Sequence, residues 1–299
     1  MRFAKGHGTE NDFVILPDPD GEIELTPELA ARLCDRRAGV GGDGVLRVVP
    51  DPATGGWFMD YRNADGSLAE MCGNGIRVFG RYLLDHGLVS APEFTVATRG
   101  GTRLLRVEPD GVITVDMGAP LVVGPGRATL AGRALAGLAV SVGNPHLACV
   151  VDEPLDGFDL SRPPLLDAGL FPGGANLELV RFTGDAQVEM RVYERGSGQT
   201  RSCGTGAVAA AVAAADGSLG RWTVDVPGGR LWVTLDGATS LLSGPAVIVA
   251  EGELAPAWIK PADSRAAGRR APSAASRSSS KSTPAVTGAG SSTRSARRR

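Results

Sequence analysis

Two stretches of this chain read alike. Tyr61 to Gly80, YRNADGSLAEMCGNGIRVFG, and Tyr193 to Val212, YERGSGQTRSCGTGAVAAAV, each pass from a tyrosine at a strand end through a polar loop to Cys-Gly-x-Gly and an apolar helical segment. The tyrosine-to-cysteine spacings are 11 and 10 residues, and Cys72 and Cys203 stand 131 residues apart, a domain's length. A duplicated unit, mostly β around one helix, accounts for this, and 299 residues hold two of them. Their shared cleft would present two equivalent Cys-Gly-x-Gly turns to each other.

The rest of the chain agrees with that outline. With 42 Gly and 20 Pro, turns are frequent and long helices scarce. Alternating apolar residues predict strands at Val188 to Val192, Leu104 to Val107, Val112 to Met117 and Leu231 to Leu235, the middle two joined by a Pro109-Asp110-Gly111 turn. Thr26 followed by Pro27 predicts a capped helix running to about Cys34. Two more helices start directly after Cys72 and Cys203. The first carries Ile76, Phe79 and Leu83 and ends near Gly87; the second carries Val208, Val212 and Ala215 and stops at Asp216-Gly217.

Composition removes several classes of function. Formal net charge is −2 with 42% hydrophobic residues, which argues against a disordered chain and against a dedicated nucleic-acid binder. The balance is uneven: residues 261–299 hold nine basic residues against Asp263, net +8, leaving −10 for residues 1–260. That tail is rich in Ser, Ala and Arg without one aromatic residue, and is expected to be disordered, solvated and without a specific nucleic-acid partner. The longest apolar run in the body, Ala207 to Ala215, is far below the roughly 20 residues a bilayer requires. Lys5, His7, Glu10 and Asp12 break up the N-terminal segment, which does not read as a signal peptide. The expectation is a cytoplasmic protein with no membrane partner. Cys34, Cys72, Cys149 and Cys203 form no C-x-x-C, so neither a zinc site nor a disulfide framework is expected. Only Lys5, Lys260 and Lys281 are lysines, and only Lys5 stands where a pyridoxal-phosphate Schiff base could form, which makes that cofactor a poor fit.

A cysteine at a helix start sits among unpaired backbone N–H groups at the positive end of the helix dipole. Such positions can lower a thiol pKa from about 8.5 to between about 3.5 and 7.5, so a base active near neutral pH is expected. The glycines let a ligand carboxylate approach the same N–H groups. Two such thiols on opposite sides of one carbon suit inversion at a stereocentre: one thiolate removes the α-proton and one thiol returns a proton to the other face.

At this point the chain resembles a known family. The segments KGHGTENDFVIL, DRRAGVGGDGV, NADGSLAEMCGNGIR, GNPH, NLELV, YERGSGQTRSCGTG and PGG follow, in order, the pattern of the diaminopimelate epimerases, over roughly residues 1–258. The resemblance implies cofactor-independent, metal-free interconversion of LL- and meso-diaminopimelate, in lysine and peptidoglycan precursor synthesis, with Cys72 and Cys203 as the acid/base pair. It implies substrate contacts from Asn11, Asn63, Gly73, Asn74, Asn144, Asn176, Glu194, Arg195, Gly204 and Thr205, with His146 and Glu194 tuning the thiols. The chemistry is sensible, since a substrate with two ammonium and two carboxylate groups needs several fixed donors and acceptors, and an arginine fork suits a distal carboxylate. One departure is Gly44, where some members carry a glutamine contact. The fold implied is α+β: two pseudo-symmetric domains, each a curved, mostly antiparallel sheet or barrel wrapped around a central helix, with the site in the cleft. Its domains would span residues 1–118 and 119–243, with a strand from about 244–258 returning to the first. A homodimer is expected.

Blander roles suit the remaining candidates. Cys34 and Cys149 lie on apolar faces and read as core thiols. His86 precedes Gly87 and reads as a solvated helix-end residue, and His7 reads equally as a turn former or as support for a pocket. A dithiol redox protein is disfavoured by the cysteine spacing. A proline-type racemase would share the paired thiols but has no use for Glu194, Arg195 and the asparagine set.

Overall fold

The computed structural model describes residues 1–259; the basic tail at 261–299 lies outside the described residues. Residues 1–255 form one compact unit, and Pro256–Ile259 is a single helical turn. The first half of the unit contains β1 (Arg2–Gly8), β2 (Asn11–Pro17), α1 (Pro27–Cys34), β3 (Gly44–Pro50), β4 (Trp57–Asn63), α2 (Gly73–Asp85), β5 (Glu93–Ala97), β6 (Arg103–Val107) and β7 (Ile113–Gly118). The second contains β8 (Leu121–Leu130), β9 (Arg133–Ser141), β10 (Pro145–Val150), β11 (Leu165–Leu166), β12 (Asn176–Gly184), β13 (Gln187–Glu194), β14 (Gly198–Thr200), α3 (Gly204–Ala215), β15 (Gly220–Val226), β16 (Gly229–Leu235), β17 (Ser240–Gly244) and β18 (Val247–Glu253).

The repeat recurs in the strand pairing. In the first half β1–β2, β3–β4, β5–β6 and β6–β7 are antiparallel, while β2–β3 and β4–β5 are parallel. In the second, β9–β10, β12–β13, β15–β16 and β16–β17 are antiparallel, while β10–β12 and β13–β15 are parallel. The pattern is the same, so the fold is α+β with two pseudo-symmetric domains. Antiparallel pairing of β7 with β17 connects them. The strand after each of these then crosses over: β8 pairs with β9, and β18 with β1.

In each half the strands pack around one helix. Within α2, Ile76, Val78, Phe79, Tyr82 and Leu83 are buried against β1, β2, β3, β7 and β18. Burying side chains as large as Phe79 and Leu83 contributes about 1.5–3 kcal/mol each. In α3 nearly every side chain is buried, and all but Thr205 are Gly, Ala or Val. A helix this slender allows β9, β10, β12, β13, β15, β16 and β17 to approach it from all sides. Asp216 at φ 45° and Gly217 at φ 84° end it, as their sequence predicts. Thr26 caps α1, its Oγ1 accepting from Leu29 N–H at 3.2 Å, with Pro27 opening the helix. The predicted strands correspond to β13, β6, β7 and β16, with Val112 lying one residue before β7. Along β16 the inward positions are Leu231, Val233 and Leu235, the period-two signal of a one-sided strand.

Candidate active site

Both Cys-Gly-x-Gly segments fold the same way. Cys72 is the N-cap of α2 with φ −135° and ψ 121°; Cys203 is the N-cap of α3 with φ −130° and ψ 118°. Each sulfur accepts from a helix N–H, Gly75 at 3.3 Å and Gly206 at 3.4 Å, replacing the hydroxyl or carboxylate oxygen usual at a cap. The two helix starts meet head to head. A Cβ added to Gly204 would lie 3.0 Å from the Gly73 Cα, and one added to Gly73 would lie 3.3 Å from the Gly204 Cα, with Leu242 pressing on both. Glycine is required here because nothing larger lets the helix ends approach so closely.

Around the first thiol, Cys72 Sγ–H points to Asn11 Oδ1 at 3.7 Å. Asn74 Nδ2 donates to that same oxygen at 3.2 Å and to Ser202 Oγ at 3.1 Å in the other half. Asn11 is itself fixed, its Nδ2 donating to Asp43 Oδ2 at 2.8 Å, while Arg36 holds Asp43 and Asp12. Burial would raise the Asp12 carboxyl, but Arg36 and Lys5 outweigh it and hold the group far below the usual carboxylate range. The β1–β2 turn, Thr9 and Glu10 at φ 51° and 62°, reaches across to the second half. There Thr9 Oγ1 is 2.6 Å from Ser202 Oγ, and Glu10 pairs with Arg201.

Around the second thiol, Asn176 Nδ2 lies 3.9 Å from Cys203 Sγ and Thr205 Oγ1 3.5 Å from it. Asn176 Oδ1 accepts from Arg195 N–H at 2.9 Å, and the Arg195 guanidinium, at the exposed rim, donates to Gly173 O at 2.8 Å. Glu194 is held by the Thr200 hydroxyl and faces Cys203. His146 is fully buried between Glu178 Oε1, 2.7 Å from Nδ1, and Asn144 Oδ1, 3.0 Å from Nε2. A carboxylate on Nδ1 keeps a proton on that nitrogen. Asn63 stands apart from these clusters, accepting from Tyr61 O–H at 3.0 Å and donating to Ser67 at 2.9 Å. At Gly44 a Cβ would fall 2.6 Å from the Tyr61 ring, so that ring fills the space a longer side chain would need.

The thiol acidity differs from the sequence expectation. Burial pushes Cys72 up to about 11, and Glu194 adds to the rise against the N–H groups of Gly75 and Asn74 and the charge of Arg77. Burial likewise drives Cys203 well above its ordinary value, reinforced by Glu194 and Glu178. Desolvation and nearby carboxylates therefore outweigh the helix N-termini. Cys34 and Cys149 are core thiols, each raised to about 12 by burial. His86 caps the end of α2 but is not merely solvated: it stacks on Tyr82 at 3.9 Å and lies 3.0 Å from Glu251. His7 Nδ1 accepts from Glu10 N–H at 3.3 Å, a turn contact.

Sequence reasoning missed Glu178, Ser202, Thr200 and Asp43. Glu178 left a signal, an acid between Leu177 and Leu179 in phase with Asn176 on one strand face. The others act through contacts made only after folding.

Comparison with known proteins agrees with this architecture. A sequence model of the diaminopimelate epimerases matches residues 3–123 and 138–253. A diaminopimelate epimerase from Thermobifida fusca is 60% identical over 268 residues, 85% of this chain and 98% of that protein. One from Mycolicibacterium smegmatis is 51% identical over 86% of this chain and 98% of its own length. Among solved structures, a phenazine biosynthesis protein of the PhzF family from Bacillus anthracis superposes with TM-score 0.63 at 18% identity, covering 85% of this chain and 99% of that one. A probable proline racemase from Agrobacterium radiobacter gives 0.60 at 14% identity, covering 89% and 95%. These distant structures share the two-domain fold. With its family pattern matched across both halves, the chain belongs to the diaminopimelate epimerase family.

Proposed function

We propose that this protein epimerises LL-2,6-diaminopimelate to the meso form through Cys72 and Cys203, in the supply of lysine and peptidoglycan precursors. The observation that carries this reading is the abutment of the two cysteine-capped helix starts at Gly73 and Gly204. One thiolate takes the α-proton, and the C–H electron pair delocalises into the α-carboxylate. The opposite thiol then delivers a proton to the other face, leaving the first sulfur protonated and the second ionised. Both helix N-termini aim N–H groups at the carboxylate as it gains charge. Asn11, Asn74, Asn144, Asn176 and Thr205 hold the reacting end, Arg195 at the rim suits the distal carboxylate, and Asn63 serves from its own loop. His146 and Glu194 set the charge around the thiols. The two lobes are taken as residues 1–118 and 119–243 with 244–258 returning to the first, in a cytoplasmic homodimer like the family it resembles.

Incubation in heavy water with LL- or meso-diaminopimelate tests this. Solvent deuterium is expected at the α-carbon of either isomer at a rate comparable to epimerisation; inversion without wash-in would sink the two-base scheme. The acidity of the thiols adds a second expectation. Because burial raises Cys72 to about 11 and lifts Cys203 well above its ordinary value as well, both thiols are mostly protonated at neutral pH and the thiolate fraction of the free protein grows about tenfold per pH unit there. Hence kcat/KM is expected to climb between about pH 6 and 8 in initial-rate assays. A profile already flat below neutral pH would mean a thiol more acidic than an ordinary cysteine, which would overturn the raised acidity constants.

A further inference from the structure

The two thiols share a fold but not an electrostatic setting. Five residues beyond Cys72, Arg77 is the only arginine fully buried among the described residues. Its Nη1 donates to Gly73 O at 3.0 Å, while Nε and Nη2 have no protein acceptor. Among the described residues no carboxylate pairs with it, and a charge on the Cys72 thiol favours its cationic form. The slot is built for it. A Cβ at Gly8 would lie 3.1 Å from Nη2, and one at Gly244 would lie 3.2 Å from Cζ and Nε, so glycines from β1 and β17 leave the room the guanidinium occupies. Burial lowers its pKa only to about 10, so it stays cationic at neutral pH. In the second half the equivalent position, five beyond Cys203, is Val208, and the charges facing that thiol are the carboxylates Glu194 and Glu178.

A buried cation without a carboxylate is costly, and an apolar side chain of similar length would remove that cost. We propose that Arg77 is a positioning residue whose guanidinium is the standing counter-charge for the Cys72 thiolate, so that Cys72 ionises more readily than Cys203. The inference rests on the two-thiol reading and deepens it. Arg77 acts through the Gly73 carbonyl at the start of α2 and through its charge. Facing Cys72 from other elements are Tyr61 of β4 and Glu194 of β13, and ionised Glu194 opposes the thiolate.

The test is alkylation of Cys72 by iodoacetamide across pH, read by peptide mass in a Cys203→Ala background with Arg77, Arg77→Lys or Arg77→Met. With Arg77→Met the Cys72 midpoint is expected to rise by about one pH unit, a tenfold slower reaction at fixed pH, and Arg77→Lys is expected to restore most of it. Cys203, followed in a Cys72→Ala background, is expected not to move. Coincident Cys72 profiles for Arg77 and Arg77→Met, or equal shifts at both thiols, would overturn the proposal. Should Arg77→Met fail to fold, 15N-arginine spectra of the unsubstituted protein decide: the slowly exchanging Nε–H of Arg77 is expected to shift over the pH range in which Cys72 becomes alkylatable, and a stationary signal overturns the proposal. Alkylation requires no turnover, so this result stands separately from the deuterium experiment on diaminopimelate.

Discussion

Replacing Cys203 or Cys72 by alanine is expected to lower epimerisation by on the order of 10³–10⁴-fold, within the range by which a positioned acid or base accelerates a reaction. The two variants are expected to fail differently. With one thiol left, a proton can still be taken from one face of the α-carbon, exchanged with solvent and returned to that same face. Each variant should therefore retain some deuterium wash-in for one stereoisomer without inverting it, and the two variants should prefer opposite configurations at the reacting centre. Nuclear magnetic resonance of the α-proton together with chiral separation of the product measures both. Equal inversion by either variant and the wild type would remove the thiols from the mechanism.

A smaller but still large effect is expected from a single methyl group placed between the helix starts. In Gly204→Ala the new carbon meets the Gly73 backbone at about 3.0 Å and Leu242 at 2.9 Å, and neither α2 nor α3 can yield without moving the cysteine that caps it. Overpacking of this kind costs about 1–3 kcal/mol of stability. Displacing reacting groups by about 1 Å can cost roughly 10²-fold in rate. Thermal unfolding and kcat/KM measured on the same sample separate the two effects. A Gly204→Ala protein as stable and as active as the wild type would mean that the close approach of the helices has no bearing on turnover.

The repeated Cys-Gly-x-Gly segments exposed both helices, both caps and the duplicated plan, because an N-cap and an apolar helical face are local properties written in consecutive residues. Strands such as β16 were readable for the same reason, from alternation at Leu231, Val233 and Leu235. The parallel pairings β2–β3 and β10–β12 left no local mark, since they depend on which strand arrives alongside. Thiol acidity was misjudged for a related reason. The helix start is local and lowers the pKa, whereas the burial and the approach of Glu194 and Glu178 that raise it come from residues brought in by folding. Glu178 itself stood in plain view within NLELV, but its partnership with His146, 32 residues earlier, is tertiary.

The crossover of the outer strands bears on how the chain is made. Arg2 sits opposite Glu253, so the first described strand, made about 240 residues before its partner, waits for β18 before its outer edge is covered. Throughout synthesis that edge offers unpaired backbone groups to any passing extended segment. A nascent chain stalled before residue 247 would carry both cysteines proposed as the acid/base pair on a sheet still open to mispairing, so its first hazard is aggregation rather than inactivity.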